Sequence, residues 1–159
     1  MRLFLPVLMA ASLPAAAAFD MNGVKLGASE REVKKLFPLA YCKPLEWQST
    51  AADRRCDDAK AVVGGVEGRI TFYLRNDAVQ AFDLRFDSKD LERLLPGLRS
   101  RYGKPASETR DEGKGGSQIY KALWENGKDR AVLFSQADKK RSQLTVTRGN
   151  FEEELYRVK

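Results

Sequence analysis

The sequence predicts an α+β fold, and three observations carry the prediction. Two segments repeat apolar residues at helical spacing: Val33, Leu36 and Phe37, then Leu91, Leu94, Leu95, Leu98 and Tyr102. Later segments alternate instead, with Ile70, Phe72 and Leu74 set against Thr71 and Tyr73, and Phe82, Leu84 and Phe86 against Asp83 and Arg85. Turn residues separate these runs. The expectation is an antiparallel sheet of about five strands with two short helices packed on one face. The order helix, strand, strand in each half suggests a degenerate α-β-β repeat.

From the N-terminus, Met1 and Arg2 precede an apolar run, Leu3 to Ala11, which Pro14 breaks before Ala16-Ala17-Ala18. This is the order of parts in a secretory signal peptide, so residues 1–18 are expected to be removed after Ala18. The run is shorter than the ~20 apolar residues that span a bilayer. A periplasmic or secreted product follows, with no membrane span and one α+β domain over residues 19–159. Its first half (19–86) would hold a disulfide loop, and its second half is 87–159.

Gly23 to Gly27 reads as a brief extended entry. Ser29-Glu30-Arg31-Glu32 has the spacing of a capping box, which starts a two-turn helix that Pro38 stops. Cys42 and Cys56 lie 14 residues apart, too far for a redox pair and too few for a zinc site. In an oxidising compartment they are expected to form a disulfide, worth ~3 kcal/mol for a loop of about 15 residues. The loop between them is polar and should bury little without that clip. Gly64-Gly65 and Arg75-Asn76-Asp77 mark turns. Pro96-Gly97 should kink or split the second helix. Lys104 to Ser117 is polar and glycine-rich and reads as a mobile loop. Tyr120, Ala122 and Trp124 begin a strand with Trp124 in the core, and Asn126-Gly127 is a strong hairpin signal. Ala131 to Phe134 returns, and Leu144 with Val146 marks a last strand. Phe151 and Leu155, at i and i+4, leave the C-terminus as a short helix or a loosely docked tail.

The chain has no histidine among 159 residues, which excludes a Ser–His–Asp triad, a Cys–His pair and His-ligated metal within it. The carboxylates Asp53, Asp57, Asp58, Asp83 and Asp87 show no spacing that makes an acid–base pair. Gly64-Gly65-Val66-Glu67-Gly68 lacks the lysine and the following helix of a phosphate loop. No cofactor and no metal are expected. Lys and Arg number 28 against 22 Asp and Glu, but the basic groups are scattered, so nucleic acid is not an expected partner.

Phe19-Asp20-Met21-Asn22-Gly23-Val24-Lys25-Leu26-Gly27-Ala28-Ser29, leading into Val33, resembles the opening of small envelope proteins with the fold of the β-lactamase inhibitory protein. It is likewise similar to the small outer-membrane assembly lipoproteins (the SmpA/OmlA group). Tyr102-Gly103-Lys104-Pro105 resembles a helix ending common in such proteins. The resemblance implies protein binding without enzymatic activity. The chain departs from the assembly group in having no cysteine after its signal to carry lipid.

The functional expectation is therefore a non-enzymatic periplasmic module that binds an envelope protein partner through its sheet face and disulfide loop. Tyr73 and Trp47 are the expected anchors, since both should be exposed, and Arg54 and Arg55 form the polar rim. A carboxylate-dependent hydrolase of an envelope glycan and a small-ligand carrier are the alternatives. Oligomeric state is not legible.

Overall fold

A computed structural model describes residues 18–157. The expected signal segment therefore lies, apart from Ala18, outside the described residues. Within them a two-stranded hairpin, β1 (Asp20–Met21) and β2 (Val24–Lys25), precedes α1 (Glu30–Leu36). Four strands follow: β3 (Tyr41–Pro44), β4 (Arg54–Val63), β5 (Val66–Arg75) and β6 (Ala78–Asp87). Next come α2 (Leu91–Tyr102), then β7 (Ser107–Glu112), β8 (Gln118–Asn126), β9 (Asp129–Gln136) and β10 (Arg141–Arg148), and finally α3 (Phe151–Leu155).

The expected five-strand sheet with two helices is corrected by this arrangement. Among the described residues there is one eight-stranded antiparallel sheet, ordered β3-β4-β5-β6-β10-β9-β8-β7, beside the small β1-β2 sheet, and there are three α-helices. Three strands went unseen for physical reasons. β7 reads Ser-Glu-Thr-Arg-Asp-Glu and is exposed along its whole length, so no alternation marks it. It occupies the stretch expected to be a mobile loop. β3 is a four-residue edge strand. β4 carries an extra residue between Asp58 and Ala61 that breaks its period. The α-β-β repeat is corrected with it, because each of α1 and α2 is followed by four strands. The two meanders meet at their last strands, β6 and β10, which pair over residues 81–87 and 141–147.

Local chemistry places the elements. Ser29 and Glu32 form the capping box at α1: the Glu32 N–H donates to Ser29 Oγ, and the Ser29 N–H donates to Glu32 Oε2 at 2.7 Å. α2 runs unbroken through Pro96, since Pro96 and Gly97 sit on its wet side, where the carbonyl left without a partner can be hydrated. The β5–β6 hairpin turns on Asn76 and Asp77, both with positive φ, 49° and 59°, as a tight two-residue turn requires.

The core lies between the sheet and α1 and α2. Phe72, Phe82, Ile70, Leu84, Leu133, Leu144 and Trp124 are essentially dry, and Leu94, Leu95 and Leu98 of α2 close over them. Trp124 donates to the Gly103 carbonyl at 2.8 Å, which ties the end of α2 to the sheet. Tyr102 stands edge-on to both Phe19 and Trp124 and donates to the Asp20 carbonyl. At the sheet end, Gly68 has the Arg85 carbonyl 2.6 Å from where a Cβ would stand, so only glycine permits that approach.

Candidate functional site

The other face of the sheet has no α1 or α2 over it, and its composition follows from parity. In β5 the residues that alternate outward are Glu67, Arg69, Thr71, Tyr73 and Arg75; in β9 they are Arg130, Val132, Phe134 and Gln136. β6 has one irregularity: Leu74 pairs with Val79 but Tyr73 pairs with Ala81, so Gln80 is an extra residue. That bulge lets Val79 join the core while Ala81 turns outward beneath Tyr73.

Of the sequence-predicted anchors, Tyr73 is half-buried, and so is Trp47. Both are covered by the chain's own C-terminus. Phe151 of α3 packs on Tyr73 with ring centroids 5.4 Å apart, and Leu155 is buried beside it. Ala51, Ala52 and Ala81 complete this second cluster, against which Leu45, Trp47 and Tyr73 pack. Trp47 donates from Nε1 to the Leu155 carbonyl at 3.0 Å and stacks on Tyr156. Ser49 and Thr50 donate to the Glu154 carbonyl. The 45–53 loop, expected to bury little, thus becomes the wall of a seat for α3, with Ser49, Ala51 and Ala52 buried. Burial raises the Tyr73 hydroxyl above its ordinary pKa, and nearby Asp83 adds to this.

Arg54 and Arg55 go different ways. Arg54 makes a bidentate pair with Glu30, at 2.6 and 3.2 Å, which joins β4 to α1. The Arg54 hydrogen bond holds Glu30 below the usual carboxylate range, against some desolvation. Arg55 faces Asp57 at 2.9 Å and Glu46 at 3.7 Å, and it pairs across the strands with Tyr73. The structure therefore places Tyr73, Trp47 and Arg55 near one another and sets Arg54 against α1. Cys42 and Cys56 are directly opposed on β3 and β4 and are joined as a disulfide. Glu30 lies near their sulfurs, but both sulfurs are spent in the bond and the Glu30 carboxylate is engaged by Arg54 and Lys34.

Two further outward residues lie outside the expected anchors and rim. Asp83 sits mid-sheet with Oδ2 accepting from Gln143 at 2.9 Å, while Oδ1 is buried without a partner among the described residues. Burial raises its pKa, and Arg85 opposes the shift. Phe134 is 40% exposed with Lys121 over its ring at 5.8 Å. The parity signal for Phe134 was present, because it follows the core residue Leu133 in an alternating strand.

Along one cross-strand row lie Arg69, Arg85, Gln143, Phe134 and Lys121, each the direct partner of the next. At about 4.8 Å between strands this row is about 19 Å long. A cleft of about 190 Å³ at its β5–β6 end is lined by Arg69, Arg85, Lys140 and Arg141 together with Glu67 and Asp87. No helix among the described residues is long and apolar enough to cross a membrane.

A wide, half-covered sheet face of this kind defines a β-rich domain with an external platform. No family model matches the sequence, and no curated protein matches it. Among solved structures, a DUF4309 family protein (YjgB) from Bacillus subtilis is similar over 83% of this chain and 88% of that one. The identity is 10% and the TM-score 0.45.

Proposed function

We propose that this chain is a non-enzymatic binding module of the cell envelope, exported by its N-terminal segment, that recognises a protein partner through the outer face of its sheet. One observation carries the reading. Beyond α3 no described residue covers the platform, and it displays Phe134 with the half-buried Val132, Leu123 and Ile119 inside a charged margin that includes Lys121, Arg85 and Arg130. An aromatic anchor on a rigid surface, ringed by polar groups, is the usual make-up of a protein interface. The resemblance of residues 19–29 to envelope proteins that bind other proteins supports the same reading. The disulfide stiffens the β3–β4 edge of the platform.

The test is positional. A photo-crosslinking residue replaces Thr145, in the open face, or Arg93, on the exposed side of α2. After irradiation in envelope extract, a single saturable adduct is expected at position 145 and none at 93. Equal labelling at both positions, or none at 145, refutes the proposal.

A further inference from the structure

We infer that the Phe134 patch is the second-half counterpart of the α3 seat, and that it takes an acidic segment of a partner protein carrying an apolar anchor. The inference rests on the reading of the sheet face as a protein-binding platform and names the class of partner.

Topology makes the two places equivalent. The strand order runs symmetrically outward from the β6–β10 junction, so β5 and β9 hold matching positions, each second from the centre. Tyr73 and Phe134 each stand two residues before the end of their strand, and both point to the outer face. The seat at Tyr73 is filled by a segment that reads Phe-Glu-Glu-Glu-Leu, whose apolar pair, Phe151 and Leu155, is buried while Glu152 and Glu153 stay wet. Arg75 and Arg148 line a cleft with Glu154 beside it. The chain itself therefore shows what such a seat accepts.

The counterpart at Phe134 cannot be filled in the same way. The 45–53 loop that walls the first seat has as its equivalent only residues 113–117, between β7 and β8. That connection is too short to fold over the face. Among the described residues no segment covers it, and with the N-terminal segment expected to be removed on export, the cover is assigned to a partner molecule.

Charge then selects the segment. Arg69 and Arg85 are directly opposed on neighbouring strands, an arrangement that like charges disfavour. Among the described residues, Arg69, Arg141 and Lys121 have no carboxylate within ion-pair distance; Arg85 has Asp83 at 3.5 Å. Asp83 itself is held by Gln143, and burial favours its neutral form. Glu67, Asp87, Asp111 and Glu125 also face this side, so it is the cations without an ion-pair partner, Arg69, Arg141 and Lys121, that a docked acid would meet. Carboxylates on a docked segment would relieve the Arg69–Arg85 opposition, while an aromatic or leucine side chain would cover Phe134.

The experiment uses the full mature chain and, as probe, a synthetic peptide of residues 149–157, Gly-Asn-Phe-Glu-Glu-Glu-Leu-Tyr-Arg. Amide shifts are followed by heteronuclear NMR. Saturable shifts are expected at Lys121, Val132, Phe134 and Gln143, with affinity falling at least threefold between about 50 and about 300 mM salt. Phe134→Ala should weaken binding about tenfold, and Lys121→Glu with Arg85→Glu should abolish it. All three positions are exposed, and an unchanged far-ultraviolet spectrum and melting curve check that the variants fold. Absence of saturable shifts overturns the inference, as do shifts confined to Tyr73 and Trp47 or a probe with glutamine for glutamate binding equally well. A concentration-dependent dimer that buries Phe134 overturns it too, in favour of a second copy. If the peptide fails while the Thr145 crosslink succeeds, only the class of partner is wrong; failure of both removes the platform reading as well.

Discussion

Replacing Phe151 by alanine should release the C-terminal segment from the sheet and leave the rest of the protein folded. Phe151 and Leu155 are 6% and 7% exposed, and burying two such side chains contributes about 3–6 kcal/mol in total. The bonds from Trp47, Ser49 and Thr50 to the Glu154, Leu155 and Arg157 carbonyls each add about 1 kcal/mol. Ordering residues 151–157 costs about 1–2 kcal/mol apiece, so docking is balanced to within a few kcal/mol. Deleting a buried phenylalanine ring removes about 3 kcal/mol or more, enough to tip the balance. The loss stays local because Phe151 belongs to the small cluster with Ala51, Ala52, Ala81 and Leu155, separate from the main core. The assay is tryptophan emission with hydrogen exchange. Trp47 should shift to the red and the amides of 151–157 should lose protection, while Trp124, 1% exposed, and the amides of β5, β6 and β10 keep theirs. If Phe151→Ala lowers the whole unfolding transition in one cooperative step, with the segment still protected below it, the reasoning is refuted.

Asp83→Asn should stabilise the protein at neutral pH by about 1 kcal/mol, since it removes a buried charge whose Oδ1 has no partner. Because the folded-state pKa of Asp83 is raised, ionising it costs stability as pH climbs from the unfolded value of about 3.9 through the folded one. The gain should therefore vanish below about pH 3.9 in paired urea titrations; a gain independent of pH would contradict the mechanism. The Glu30–Arg54 pair behaves oppositely. Its carboxyl is held low, so its contribution is complete above an unfolded pKa of about 4.3 and is lost as pH falls through the folded value. Arg54 stays more than a third exposed, so Arg54→Ala should cost under about 1 kcal/mol at neutral pH and nothing in strong acid. Replacing Cys42 and Cys56 together by serine should cost about 3 kcal/mol. Exchange should speed first in β3 and the 45–53 loop, because the bond staples an edge strand; uniform loss across the sheet would count against this.

Much of the central sheet was legible. β5 and β6 read directly, because one face of each meets the core and the other meets water, and α1 announced itself through Ser29 and Glu32. The two missing edge strands share one cause, since a strand held by backbone hydrogen bonds with both its faces wet needs no side-chain period, whereas internal β4 was hidden by the extra residue between Asp58 and Ala61. β7 is the plain case, and β3 is too short to show a period at all. The site was half legible. Alternation showed that Tyr73 points outward, but not that it is covered while Phe134 stays open, since that depends on where residues 151–157 come to rest.

Acting alone, the sequence determined what local chemistry decides: the capping box at Ser29, the Asn76-Asp77 turn, the cysteine pair, the outward parity of Tyr73, and a chain without histidine. Only the tertiary structure decided that two four-stranded meanders join through β6 and β10, that Gln80 bulges so Val79 and Ala81 face opposite sides, and that α3 covers Tyr73 while Phe134 stays bare. The reason is physical. Parity and capping act between near neighbours along the chain, whereas burial of an outward side chain is settled by whichever distant segment gains more from docking than it loses in ordering.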